Sequence, residues 1–436
     1  MRQIVTAIDI GTTKTVAIAG ERNEQGKIEI LGIGEAESKG VIRGSVQNIG
    51  EVCASVKEAV EKCQNATKVT FKNVFVGIAG RNIRGVTNRH SKAITNNIIT
   101  DEDINQLTRE LYNMSTNQGE EVIHVIPQGY KVDNVNVKLN PEGCNGKKLE
   151  GTFYVIIGKE NSVKNIKQAI NMAGLNINKL ILEPLATAEA VLTQDEKEAG
   201  VLVADIGGGT TDIAVFQDNV TITTAVVPIG GNVITSDLKK GCSVLERQAE
   251  QLKIQFGAAL SQKDFDKKVA SIKSFNGRDS KEIPFTNIAN IINARVDEIL
   301  GGIAYELDSP DFPKDNLSAG IVVTGGSASL KNIAQLIKFR LGLDVRIGFP
   351  NNSNNIINSP KYSTAYGLII KGFEYVDNYI KIRKKEEESK KTLDNQHNNN
   401  NKNKDKKEET TNKSSSISTF FKKIANNFFK EPDDVK

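Results

Sequence analysis

Apolar residues fill positions 4–10 almost without a break, and after a short Gly/Thr turn they fill 15–19 as well. Runs of the same kind recur at 73–78, 152–157, 201–205, 212–216 and 320–323. Their length and β-branched content predict strands, and the helical patterns between them predict an α/β core over residues 1–376. Residues 84–160 break this rhythm. They are rich in β-type residues and carry turn signals such as Asn140-Pro141-Glu142-Gly143, which predicts a small inserted α+β subdomain. Residues 233–301 hold few strand signals and predict a helical accessory subdomain, with one helix over 244–257. After Tyr379 the chain turns to Lys, Glu, Asn and Ser, including four consecutive asparagines at 398–401. Such a segment buries too little apolar surface to offset its ordering entropy and predicts a disordered linker. As a flexible coil, 381–416 spans roughly 30–35 Å root-mean-square.

Apolar residues return at 417–430. At 100° per residue, Ile417, Phe420, Phe421, Ile424 and Phe428 fall within an arc of about 100°. Lys422 points the opposite way and Lys423 lies toward one flank. An apolar stripe opposed by lysines is the design of an interfacial helix, although a helix docking on the protein's own body or on a partner has the same pattern. The tether ahead of it favours a membrane surface. One such helix binds weakly, so neighbouring copies would have to supply avidity.

Composition narrows the classes. With 38% hydrophobic and 25% charged residues the chain reads as globular, and a net charge of +4 without a basic stripe argues against nucleic acid. The four cysteines (Cys53, Cys63, Cys144, Cys242) stand far apart, which argues against zinc and against a disulfide framework and fits a reducing cytosol. The N-terminus shows no apolar signal core, and no stretch reaches the roughly 18–20 apolar residues of a membrane span.

The chemistry lies in two turns. Asp9-Ile-Gly-Thr-Thr-Lys14 and Asp205-Ile-Gly-Gly-Gly-Thr-Thr-Asp212 share one design, an apolar strand ending in Asp, a Gly/Thr turn and a second strand. Gly11, Gly207, Gly208 and Gly209 let backbone N–H groups approach phosphate oxygens, and the hydroxyls of Thr12, Thr13, Thr210 and Thr211 add donors. Asp9 and Asp205 can share a hydrated Mg²⁺ between facing turns. One such turn alone could be an ordinary hairpin, but two with the same Asp-Ile-Gly start predict related halves closing on one ligand. Neither turn matches the P-loop pattern.

With these residues the chain resembles the actin, heat-shock-chaperone and sugar-kinase ATPases. The resemblance implies an α/β, actin-like two-domain ATPase fold that binds ATP with Mg²⁺. The first connecting segment is 182–188, the adenosine motif is Val323-Thr324-Gly325-Gly326-Ser327, and the second connecting segment is 363–367. The adenosine motif departs from the usual three glycines at Ser327, and Asn332 stands where a later glycine is common. Glu250 and Lys253, spaced i,i+3, would approach ribose and adenine by resemblance, while spacing alone favours an ordinary surface ion pair. Glu183 takes the place of the residue that orients the attacking water, with turnover expected to be slow or nil.

Within that superfamily the match sharpens to the FtsA family of bacterial cell-division proteins. His124-Val-Ile-Pro-Gln-Gly-Tyr-Lys-Val-Asp133 is similar to a segment specific to that family's inserted subdomain. His124 itself reads as a packed strand residue rather than a base or ligand. The resemblance divides the chain into subdomains 1A (1–83 and 161–196), 1C (84–160), 2A (197–229 and 302–376) and 2B (230–301), then a disordered linker (377–416) and a C-terminal amphipathic, membrane-targeting helix (417–430). It implies a protein that ties filaments of FtsZ to the inner face of the cell membrane at the septum. The FtsZ C-terminal peptide would be gripped at Arg295, copies would join in an actin-like protofilament, and later division proteins would meet residues 84–160. A surface arginine is more often just solvated, so this contact rests on the resemblance. Two other members of the superfamily fit the core, a type IV pilus scaffold and a metabolic kinase, and the 417–430 helix is what separates them from the first reading.

Overall fold

The structure, a computed structural model, describes residues 3–137, 140–273, 280–308, 317–351 and 355–400, the last sixteen as backbone alone. The expected membrane helix at 417–430 lies outside these residues. Strands β1 (Ile4–Ile10), β2 (Lys14–Arg22) and β3 (Ile28–Glu37) lead to a short hairpin, β4 (Val41–Ile42) and β5 (Ser45–Val46), then helix α1 (Ile49–Thr67) and β6 (Asn73–Ile78). An insertion follows, made of β7 (Ile83–Ala93), α2 (Asp101–Tyr112), β8 (Glu120–Val132), β9 (Val135–Val137) and β10 (Lys148–Lys159). The first half closes with α3 (Glu160–Met172), β11 (Asn176–Leu182) and α4 (Glu183–Val191). After α5 (Gln194–Ala199) the second half repeats the plan with β12 (Val201–Ile206), β13 (Thr211–Gln217) and β14 (Val220–Val227). Its accessory part holds α6 (Gly231–Gly241), α7 (Glu246–Phe256), β15 (Val269–Ile272), β16 (Lys281–Pro284) and α8 (Phe285–Leu307). The chain then runs through β17 (Ile321–Thr324), α9 (Ile333–Leu341), β18 (Val345–Ile347) and α10 (Ser363–Asn400).

The two large sheets are copies of one topology. Read from one edge, the first runs β3-β2-β1-β6-β11 and the second β14-β13-β12-β17-β18. In both, the first three strands are antiparallel and the last two join in parallel. Alternation along each strand divides the side chains between layers. Val5, Ala7, Val16 and Ile18 of the first sheet meet Val201, Val203, Ala214 and Phe216 of the second around α4 and α10. Ile8, Ile10, Ala17 and Ala19 face α1 and α3, while Leu202, Ala204, Ile213 and Val215 face α6, α8 and α9. Burial on both faces is why these strands read as unbroken apolar runs. All seven expected strands are present, each within a residue or a few of its sequence limits.

Two expectations change. The accessory region, expected to be mainly helical with few strands, also contains a β-hairpin, β15–β16. The linker expected from residue 377 starts as helix, because α10 continues to Asn400. Its Lys and Glu residues are good helix formers, and they extend a helix already nucleated by the buried Leu368, Ile369 and Phe373.

The insertion has its own core, where Leu107 and Leu111 of α2 pack on Tyr130, Phe153 and Val155. The Thr100–Asp103 capping box starts α2. His124 of β8 stands at the joint with the first half, its Nε2 accepting the Leu182 N–H at 3.2 Å. It is a packed strand residue, as expected. Burial, with the Lys179 and Lys371 ammoniums nearby, pushes this imidazole down to about 3. An unfolded histidine titrates near 6.5, so between these values the unfolded chain holds the extra proton and stability falls as pH falls. Going from pH 7 to pH 5 should therefore cost the wild type about 2 kcal/mol more than it costs His124→Gln. Urea unfolding of both proteins at the two pH values measures this, and an equal pH dependence would remove His124 from the joint's energetics.

Candidate nucleotide cleft

The β1–β2 and β12–β13 turns face each other between the two halves. They are closed alike: the Gly11 N–H donates to Lys14 O and the Gly207 N–H to Thr210 O, each at 3.0 Å. The tips nearly touch. A Cβ built on Gly208 would lie 1.9 Å from Thr13 Oγ1, and one on Gly209 2.4 Å from Thr12 Oγ1. The third glycine-bearing turn, after β17, passes beneath the second hairpin. Gly325 has φ +87°, and a Cβ there would stand 2.2 Å from Asp205 Oδ1. Glycine is thus required both by conformation and by space.

Between these turns lies a cavity of about 680 Å³. Asp9, Gly11, Thr12, Thr13, Lys14, Glu183, Asp205, Gly207, Gly208, Gly209, Thr210, Glu250, Lys253, Gly325, Gly326 and Ser327 all line it, so one space gathers residues scattered over three hundred positions of sequence. Thr211 is the exception. It points to the opposite face of β13, fully buried, and its Oγ1 donates to Ile229 O at 2.9 Å. Strand alternation puts Thr210 and Asp212 on the cleft side and Thr211 on the core side.

Four carboxyls converge here with little positive charge. Asp205 and Asp212 sit directly opposite each other in the β12–β13 pair. Burial pushes Asp212 up to about 7, with the charges of Asp205 and Asp9 adding to it. Burial also raises Asp9, opposed by Lys14 and reinforced by Asp205. Asp205 is raised by burial against the hydroxyls of Thr364 and Thr187, which donate to its Oδ2 at 2.8 and 3.2 Å. Glu183 stands well above the ordinary range through burial, then through Asp9, Asp212 and Asp205. The Lys14 ammonium lies 3.9 Å from Asp9 and donates to Lys361 O at 2.6 Å. Asp212 Oδ1 is buried with no hydrogen-bond partner among the described residues. Like charges held this close call for a cation. Among the described residues no three acidic, His or Cys side chains are placed to chelate one directly. The set therefore fits a hydrated dication shared with phosphate oxygens.

At the far end, Lys253 of α7 donates to Gly231 O at 3.1 Å and Thr235 Oγ1 at 2.8 Å, and pairs with Glu250 at 2.8 Å. Ser327 Oγ reaches Gly207 O at 3.4 Å, so the serine ties the adenosine-motif turn to the second hairpin. Glu35, Asn232, Lys361 and Thr364 also line the cavity. The Ile229-Gly-Gly-Asn232 turn before α6 was a readable signal for Asn232, whereas Glu35 and Lys361 meet only through the fold, at 3.0 Å. Arg295, the expected partner contact, lies on α8 and is already engaged. Its Nε donates to Asp237 Oδ2 at 2.7 Å, and Nη1 contacts Glu298.

Two matching half-sheets closing on paired Asp-Gly-Thr turns, with an inserted subdomain in the first half, define an actin-like ATPase fold. A family model described as "Cell division protein FtsA" matches residues 202–367, one described as "SHS2 domain inserted in FTSA" matches 80–157, and one described as "Hsp70 protein" matches 159–223. The chain is 33% identical over 371 residues to the cell division protein FtsA of Neisseria meningitidis, covering 84% of this chain and 90% of that protein. It is 32% identical over 375 residues to FtsA of Pseudomonas aeruginosa (85% and 90%) and 31% identical over 382 residues to FtsA of Escherichia coli (86% and 91%). The chain belongs to the FtsA family of cell-division proteins. Among solved structures, the PilM-PilN type IV pilus biogenesis complex matches at TM-score 0.60 and 14% identity, over 84% of this chain and 98% of that one, a likeness of fold alone.

Proposed function

We propose that this chain is a nucleotide-switched membrane tether for the division machinery: it binds MgATP in the cleft, assembles with copies of itself and holds FtsZ filaments at the membrane face. The observation that carries the nucleotide reading is the meeting of the two hairpin tips over the carboxyl cluster. Asp9 and Asp205 would hold Mg²⁺ through water. The two turns and Lys14 would hold the phosphates, Glu250 and Lys253 the ribose, and Gly325, Gly326 and Ser327 the adenosine side. Magnesium, when bound, supplies the positive charge that both the phosphates and the four carboxyls lack. Glu183, raised well above the ordinary carboxylate range by burial and by Asp9, Asp212 and Asp205, would orient a water at the phosphates, and the family resemblance implies slow or absent turnover. Arg295, pre-oriented by Asp237, is the proposed contact for the FtsZ C-terminal peptide.

No helix among the described residues is long and apolar enough to cross a membrane, so the proposed attachment rests on 417–430. Co-sedimentation with anionic liposomes, with and without MgATP, tests it. The full chain is expected to pellet with the vesicles, more strongly with MgATP, and a chain ending at Asn412 to stay in the supernatant. Equal pelleting of the two chains would end the tether reading.

A further inference from the structure

The segment His124-Val-Ile-Pro-Gln-Gly-Tyr is not used by the cleft, yet the fold gives it a task. Strand β8 departs from regular pairing with β10 twice. Phe153 pairs with Pro127 while Thr152 pairs with Gly129, which leaves Gln128 unpaired, and the shift between Ile156 and Ile157 leaves Ile123 unpaired. Pro127 has no N–H to give the ladder, so an irregularity there costs little. Bulges re-aim side chains. Gln128 points out of its own sheet toward the second half, where Nε2 donates to Thr221 O at 2.8 Å and Ile222 O at 3.0 Å. Beside it, the hydroxyl of Tyr154 on β10 accepts the Thr224 N–H at 2.8 Å and lies 3.2 Å from Thr224 O.

These bonds land on β14, the edge strand of the second sheet, to whose outward side no further strand is paired among the described residues. The insertion belongs to the first half by chain, and it also grips that half: His124 holds the Leu182 N–H, with Ile83, Ile123, Tyr154 and Ile156 packed on Leu182 and Leu185. Both grips sit next to cleft acids. Leu182 immediately precedes Glu183. Thr224 pairs with Ala214 of β13, two positions along from Asp212. A cavity of about 670 Å³ opens beside Gln128 and Tyr154 at this junction.

We propose that the inserted subdomain is a clasp across the nucleotide cleft: Gln128 and Tyr154 fasten it to β14 while His124 fastens it to the start of α4, so load on the insertion and occupancy of the cleft change one another. Such coupling is reciprocal, and a partner that pulls the insertion off β14 loosens nucleotide. The proposal rests on the nucleotide reading for its ligand, but the mechanical link can be read without one.

The test uses the full chain with Gln128→Ala and Tyr154→Phe together, neither residue being part of the cleft. In nucleotide-free protein, hydrogen–deuterium exchange is expected to rise at least about fivefold in peptides spanning 182–191 and 205–216, beyond 221–224 itself. Release of a fluorescent ATP analogue, followed by stopped flow, should quicken by a similar factor. Exchange changes confined to 221–224, with release within about twofold of wild type, would overturn the clasp. If wild type binds no analogue, the nucleotide reading fails and the exchange arm alone decides the coupling. Should the double variant not fold, Gln128→Ala is judged by the same two readouts.

Discussion

Replacing Gly208 by alanine is expected to weaken MgATP binding by about 10–100-fold, or roughly 1.4–2.7 kcal/mol, with little change in unfolding free energy. The added methyl would stand 1.9 Å from Thr13 Oγ1, 3.1 Å from Thr13 Cβ and 3.0 Å from Asn232 Oδ1. Contacts that short force the two hairpins apart, because the crowding atoms belong to the opposing turn and to α6. The strands behind the turn keep their pairing and their cores, which is why folding should be spared. Thr13→Ala alone removes a hydroxyl at an exposed tip and should cost far less. Joined with Gly208→Ala it should restore part of the affinity, since it removes the atom struck first. That non-additivity separates a steric wedge between the tips from simple crowding of the phosphates. Titration with a fluorescent ATP analogue reads all four proteins. Wild-type affinity in Gly208→Ala would mean that the observed approach of the tips is irrelevant to the ligand.

The prediction depends on which parts of this cleft sequence could reveal. The turns were legible because their chemistry is local: Asp at a strand end, then Gly and Thr, then another strand. The gathering of Glu183, Lys253 and Gly325 around them was legible only by resemblance, since no local rule brings α4, α7 and the turn after β17 together. Asp212 was quoted in its motif but not assigned to the site, because its place opposite Asp205 is a matter of register. Thr211 was assigned to the site and belongs to the core, the same one-residue alternation seen from the other side. The limit of α10 was misjudged for another reason. A segment poor in apolar residues has nothing to bury, but Lys and Glu propagate a helix whose nucleus is paid for upstream. Gln128 shows the remaining gap. A bulge leaves no periodic mark in sequence, so a side chain reaching across to β14 reads as an ordinary strand residue.

Glu189→Ala is expected to destabilise the chain by about 3–5 kcal/mol, the cost of leaving the buried Lys197 ammonium unpaired. Glu189 of α4 accepts from Lys197 Nζ at 2.6 Å and from Lys371 Nζ at 2.9 Å, so one carboxylate joins α4, α5 and α10. Burial alone would raise this carboxyl, and the Lys371 and Lys197 ammoniums outweigh it, holding it below the ordinary range. Lys371 keeps a second partner in Glu374 at 2.9 Å. Lys197 is 5% exposed and, among the described residues, keeps the face of Phe216, 5.5 Å from its Nζ. Most of the loss should therefore come from Lys197. Glu189→Gln retains an acceptor without the charge and should fall between. Replacing Glu189 by leucine together with Lys197 by methionine should recover most of the stability, because a buried pair contributes little net energy while a widowed member costs much. Urea unfolding of the three variants beside wild type tests the set, and a loss under about 1 kcal/mol in Glu189→Ala would show that the network is not desolvated. The same bonds span the layer between the two sheets, where the halves must turn if the cleft opens. A double variant as stable as wild type but with altered analogue release would make this carboxylate a hinge pin, whereas unchanged release would leave it a brace for the fold.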